Sequence, residues 1–175
     1  MDGYPLLTET AAGAPLSEVW VQFDVHPATS RQGLTEVRLH AGVVDEVAVE
    51  FFCYGGCCLL AAAMHERSGW PLMAYYVNRP DGKLAIAHLG VMTPEEEFLD
   101  VQGVRSYGDL VADYGQGWRR THTLAEAVAL DAISADGWRS NLGGEHIREI
   151  VWYFAEQTLL KATLADSIPQ GGTPS

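Results

Sequence analysis

The chain has 175 residues, 47% of them apolar, enough for one domain with a full core and too apolar to stay disordered over most of its length. A formal net charge of −12, with no basic stripe visible in the sequence, argues against a phosphate-backbone partner and against an anionic membrane surface, so neither nucleic acid nor membrane is expected as a partner. Three cysteines, an odd number crowded at Cys53, Cys57 and Cys58, do not make a disulfide framework; they fit a reducing, cytoplasmic setting in which thiols stay free.

Taken in chain order, residues 1–17 are rich in Thr, Ala, Gly and Pro and read as a flexible lead-in, without the basic start and apolar run of a signal peptide. Residues 18–26 (EVWVQFDVH) set Val19, Val21, Phe23 and Val25 at a period of two, which predicts a half-buried strand ended by Pro27. A second strand is expected over 35–44. Residues 45–54 (DEVAVEFFCY) suit a strand by composition, yet Val47, Phe51 and Tyr54 also fall on one helical face. Gly55-Gly56 is a clear break. Residues 57–67 (CCLLAAAMHER) then have high helix propensity, and Ser68-Gly69 followed by Trp70-Pro71 stops them.

Strands are expected at 72–77, 83–92 and 97–104, the first two joined by the turn residues 78–82 (NRPDG). A helix followed by a three-stranded antiparallel meander gives an α+β class. Ser106 with Asp109, and Thr123 with Glu126, have the spacing of capping boxes and open short helices over 106–114 and 123–133. A long amphipathic helix lies within 144–168, with Ile147, Ile150, Val151, Phe154, Leu159 and Leu160 on its apolar side. Residues 18–168 are thus expected to form one domain, and 169–175 a disordered tail.

The chemistry concentrates between Gly55 and Asp100. Cys57 follows two glycines and opens a helix, where free N–H groups and the positive dipole end favour a thiolate and would hold an oxyanion. His88 sits in an otherwise apolar strand and Asp100 in the next one, so each needs a buried polar partner. Two hairpin registers are open. If Met92 pairs with Glu96, His88 falls opposite Asp100; if Met92 pairs with Phe98, Asp100 falls opposite Gly90 and is the diagonal neighbour of His88. Either register puts both side chains on one face. Nucleophile, base and orienter are then Cys57, His88 and Asp100. Cys58 stays open as the nucleophile, and Gln22 or Tyr54 as a second oxyanion donor. Cys53, Cys57, Cys58 and His65 lack the paired spacing of a zinc site.

The run Gly56-Cys57, helix, Ser68-Gly69-Trp70-Pro71, strand, His88 and Phe98-Leu99-Asp100 resembles the core of the transglutaminase-like branch of the papain-like superfamily, over about 50 residues. A weaker resemblance is to the arylamine N-acetyltransferases, which share the Cys, His, Asp order. The resemblance implies a nucleophile helix packed on a small antiparallel sheet with further C-terminal helices. It also implies a thiol-dependent acyl-transfer enzyme (cysteine peptidase, amidase, or deamidase/transglutaminase-like) acting through a Cys57 thioester. The substrate would be a peptide, a protein or a small amide or ester, with neither metal nor organic cofactor required. The alternative is a catalytically silent member of that fold, serving as a protein-binding or inhibitory module. Oligomeric state carries no signal in the sequence.

Overall fold

A computed structural model of the protein describes residue 15, residues 18–25, residue 27, residues 30–130 and residues 145–165. The expected tail at 169–175, nearly all of the lead-in at 1–17, and the end of the helix expected at 123–133 lie outside the described residues. The elements in order are β1 (Trp20–Asp24), β2 (Glu36–His40), α1 (Glu46–Tyr54), α2 (Cys57–Ser68), β3 (Leu72–Asn78), β4 (Leu84–Met92), β5 (Phe98–Asp100), β6 (Gly103–Arg105), α3 (Tyr107–Tyr114), β7 (Gly117–His122), α4 (Leu124–Ala129) and α5 (Glu145–Ala165). The architecture is α+β: a curled, five-stranded antiparallel sheet of order β6-β5-β4-β3-β7, a separate β1-β2 hairpin, and helices. No single described helix is long and apolar enough to cross a membrane.

The ambiguous segment before Gly55 is helical. Asp45 caps it by accepting from the Ala48 N–H at 2.8 Å. Phe51, Phe52 and Cys53 are buried in succession, which a strand lying on one layer cannot achieve. A helix wedged among other elements can, and Phe51 meets Phe23 of β1 while Phe52 meets Phe154 of α5. The chain then turns by 87° between α1 and α2. Gly56 makes that corner possible, because a Cβ there would collide with the Phe51 ring. α2 ends as its sequence predicts, with Gly69 in the left-handed region at φ 72°.

Side chains alternate across the sheet with the period of two that a pleat imposes. Ala74, Tyr76, Leu89, Val91 and Leu99 join the larger core with α1, α2 and α5, where buried Ala61, Ala62 and Ala63 are part of the packing. Met73, Tyr75 and Phe98 face the other way and pack with Leu110 and Tyr114 of α3. Capping boxes open α3 (Ser106 with Asp109) and α4 (Thr123 with Glu126), as their spacing predicts. In α5, Ile150, Val151, Phe154 and Leu159 are buried.

β7 is a strand that the sequence pattern hides. Its residues pair along β3 from Leu72↔His122 to Val77↔Gly117, but it is an edge strand whose Trp118, Arg119, Arg120 and Thr121 are all exposed, so no apolar alternation marks it. Arginines on an open edge also discourage pairing with another chain.

The β4–β5 hairpin takes the second of the two expected registers, Met92↔Phe98 and Val91↔Leu99. Asp100 therefore falls one pair on, level with Gly90 and diagonal to His88. Gly90 is required here, since a Cβ would strike the Leu99 carbonyl oxygen and the Phe98 ring. Gly90→Ala is expected to cost about 1–3 kcal/mol by overpacking, read as a lower urea midpoint at unchanged slope. Gly108→Ala, whose Cβ would meet only the Ser106 hydroxyl at 3.6 Å, is expected to leave the midpoint near its starting value.

Candidate active site

His88 and Asp100 meet as their sequence positions require. The His88 Nε2 lies 2.9 Å from Asp100 Oδ2, and both side chains are essentially inaccessible, at 0% and 2% exposure. The imidazole is held flat against Tyr114, with ring centroids 4.9 Å apart and planes 18° apart, and it also touches Phe98. Tyr114 is anchored by its hydroxyl, which donates to the Cys53 carbonyl at 3.1 Å.

Asp100 is saturated with donors. Its Oδ1 accepts from the Gln102 backbone N–H at 2.8 Å, and its Oδ2 from Arg105 Nη1 at 3.2 Å as well as from His88. Arg105 continues to Asp113 Oδ2 at 2.6 Å, so two carboxylates share one buried guanidinium. Burial opposes that charge, but the Asp113 hydrogen bond and the charges of Asp100 and Asp113 outweigh it and hold Arg105 above its ordinary pKa. Because a carboxylate only accepts, Nε2 is the ring nitrogen that donates to Asp100, which in the neutral imidazole sets the tautomer. Nδ1 is then left with a lone pair, and it is buried with no hydrogen-bond partner among the described residues.

Cys53, which the sequence did not single out as a nucleophile, lies beside this pair. Cys53 Sγ, a His88 ring nitrogen and an Asp100 oxygen all lie within 4.8 Å of one another, and Cys57 is not a member of that cluster. The reason is the corner between the helices. Cys53, in the last turn of α1, is buried on the side of Gln102, Tyr114 and Asp100, whereas Cys57 lies beyond the turn and its sulfur takes a hydrogen bond from the Leu89 backbone. Cys57 does open α2 and is half-buried, and Leu89 directly follows His88 in β4.

The expected lowering of a thiol pKa at the helix start is also corrected. Burial pushes the Cys57 thiol up to about 12, aided by the neighbouring Cys58, and the Leu89 and Cys58 backbone N–H groups offset this only in part. Cys53 is likewise pushed up to about 12, first by burial and then by the Asp100 charge, against hydrogen bonds from Gln102 and Tyr114 and the Arg105 charge. Burial raises Cys58 as well. Removing a thiolate from water outweighs what a helix terminus returns.

Sequence reasoning missed Cys53 as a neighbour of the pair, together with Gln102, Arg105, Asp113 and Tyr114. Gln102 is the most telling of these, since its Nε2 donates to Cys53 Sγ at 3.3 Å. Its one available signal was its place two residues after Asp100. Of the two suggested oxyanion donors, Gln22 is engaged with Glu36 at 2.7 Å in the β1-β2 hairpin, and Tyr54 lines a pocket beside the cluster. His65 Nδ1 pairs with the Trp70 carbonyl at 2.7 Å in the last turn of α2.

That pocket, of about 400 Å³, is walled by Arg31, Glu50, Tyr54, Gln102 and Asp113 among others, so Gln102 stands between it and the Cys53 sulfur. Thiol, imidazole and carboxylate are also types that bind a transition metal. Arg105 argues against that use, since its guanidinium donates to the carboxylate oxygen, Asp100 Oδ2, that His88 also uses. No protein-family model, no curated protein and no solved structure matches this chain.

A thiol held near 12 when folded and near 9.0 when exposed keeps its proton longer in the folded chain. Its contribution to stability is complete below about pH 9 and is lost as the pH rises toward 12. Urea midpoints at several pH values across that window are expected to fall less steeply for Cys53→Ala than for the unmodified protein. Equal slopes would show that the Cys53 thiol is not desolvated.

Proposed function

We propose that the protein is a thiol-dependent acyl-transfer enzyme of papain-like fold, a cysteine peptidase, amidase or deamidase/transglutaminase-like catalyst. The observation that carries this reading is the meeting of Cys53 with the buried His88–Asp100 pair. Asp100 fixes the Nε2–H tautomer of His88 and leaves Nδ1 as the base. Cys53 Sγ attacks the carbonyl carbon of an amide or ester while Nδ1 takes the thiol proton. Because the resting thiol holds its proton up to about pH 12, proton transfer accompanies attack rather than preceding it. The tetrahedral oxyanion collapses, the departing amine or alcohol takes the proton from Nδ1, and a thioester remains on Cys53. Water or an amine then attacks that thioester with Nδ1 again as base. Gln102, whose amide donates to the sulfur in the resting state, is placed to transfer that hydrogen bond to the oxyanion. Substrate reaches the sulfur from the pocket side once the Gln102 side chain turns away.

Two further readings each rest on one observation. Cys57 begins α2 and takes a hydrogen bond from Leu89, next to His88, which supports it as the nucleophile in place of Cys53. The burial of Cys53, His88 and Asp100 together supports a silent fold in which they form a structural polar network.

An activated ester such as p-nitrophenyl acetate separates these readings through the rapid burst and the mapped position of the acetyl group. The expected result is an acetyl thioester on Cys53, absent in Cys53→Ala and retained in Cys57→Ala, and formed about 10²–10⁴-fold more slowly in His88→Ala. Acetylation of Cys57 that survives Cys53→Ala supports the second nucleophile. A folded protein with no acylated cysteine supports the silent module.

A further inference from the structure

The pocket on the far side of Gln102 has a chemical character of its own. Among the described residues its lining includes Asp45, Glu46, Glu50 and Asp113 against one cation, Arg31. Glu50 is 5% exposed, so it is a buried acid within a pocket wall. Its Oε1 is fixed by the Ser30 hydroxyl at 2.7 Å and the Gln32 N–H at 2.9 Å, while its Oε2 accepts no hydrogen bond from the described residues. A buried acid that lines a cavity, with one oxygen held and the other without a partner among the described residues, has the form of a site for a positively charged or hydrogen-donating group.

The pocket already holds such a group. The Arg31 guanidinium lies over the Tyr54 ring at 4.7 Å from its centroid, and its Nη2 donates to the Asp113 carbonyl at 2.8 Å. Nη1 stands 3.9 Å from Asp113 Oδ1, and the Arg31 side chain is 53% exposed. An exposed arginine on a flexible stem forms only weak contacts of this kind and is readily displaced. Tyr54 therefore offers an aromatic face, and Asp113 oxygens, to a cation that the chain supplies to itself.

We propose that this pocket recognises an ammonium or guanidinium group on the substrate, and that Arg31 occupies it as an internal stand-in until substrate displaces it. The proposal rests on the acyl-transfer reading with Cys53 as nucleophile, and it assigns that site a cationic substrate, such as a peptide bearing a Lys or Arg side chain or an amine acceptor. A cation seated against Tyr54 and Glu50 would place its attached acyl or amine group at Gln102, one side chain from the sulfur.

Charge-matched thiol reagents test this without knowledge of the natural substrate. Methanethiosulfonates carrying aminoethyl, methyl or sulfonatoethyl groups share one reaction. The cysteine sulfur gives up its proton and bonds to the sulfenyl sulfur, and methanesulfinate leaves with the electron pair of the broken S–S bond. Rates at Cys53 are mapped on the folded protein and divided by those of 2-mercaptoethanol. About 0.5 M salt screens the overall negative charge beyond a few ångströms. The expected result is an aminoethyl rate at least about tenfold above the sulfonatoethyl rate, a preference on the scale that a locally focused field gives. Arg31→Ala should widen that ratio by emptying the pocket. Glu50→Gln should narrow it, and so should the exposed Glu46→Gln, which puts no buried hydrogen bond at risk. If Cys53 reacts with all three reagents in the order of the free thiol, and Arg31→Ala changes nothing, the cationic pocket is overturned while the acyl-transfer reading stands. If Cys53 reacts with none, or the label falls on Cys57, the Cys53 reading fails and the pocket assignment with it.

Discussion

A carboxylate taken out of water must have its oxygens satisfied by donors, and Asp100 meets that demand by drawing several parts of the chain to one point. His88 reaches it from β4, the Gln102 N–H from the turn that follows, and Arg105 from β6. Arg105 in turn fastens Asp113 of α3, and Tyr114 beside it covers the imidazole and ties α3 to the last turn of α1. The sheet edge, the covering helix and the Cys53 turn are therefore positioned around a single buried charge. Removing any one partner would leave another uncompensated.

That arrangement sets the character of the chemistry. The same burial that orders His88 and Asp100 pushes all three thiols upward, so the resting site holds a neutral sulfur rather than a thiolate. In the proposed reaction a base with an open lone pair matters more than a helix dipole, and His88 Nδ1, without a partner among the described residues, fits that role. Its isolation has a cost in stability, since an unmet buried nitrogen is unfavourable. Such a cost is common where a structure retains a group for function. Gln102 links the closed site to the pocket, because one amide contacts the sulfur while its side chain forms part of the wall.

The His88–Asp100 pairing was legible because it rests on two local rules. Polar residues inside apolar strands need each other, and a short hairpin admits few registers. The observed Met92↔Phe98 register was one of two countable ones. The α2 stop at Gly69 and the Ser106 and Thr123 caps were equally local. What could not be read depended on tertiary placement. α1 is a helix because Phe51, Phe52 and Cys53 are enclosed on several sides, and composition alone left it undecided. β7 lies on an edge, so its polar sequence carried no periodic signal. The placement of Cys53 beside the pair turns on the 87° corner at Gly55-Gly56, whose angle no spacing rule supplies. Helix-dipole reasoning failed for the thiols because desolvation is the larger effect.

The proposed mechanism depends most on the His88 tautomer, with Nε2–H on Asp100 and Nδ1 left as the base. The nitrogen-15 resonances of the His88 ring report this directly, with the protein near neutral pH. The expected spectrum shows a protonated Nε2 and an unprotonated Nδ1, with the Nδ1 resonance moving in Cys53→Ala and remaining in place in Cys57→Ala. A protonated Nδ1, or an Nδ1 resonance that ignores Cys53 and follows Cys57, would contradict it.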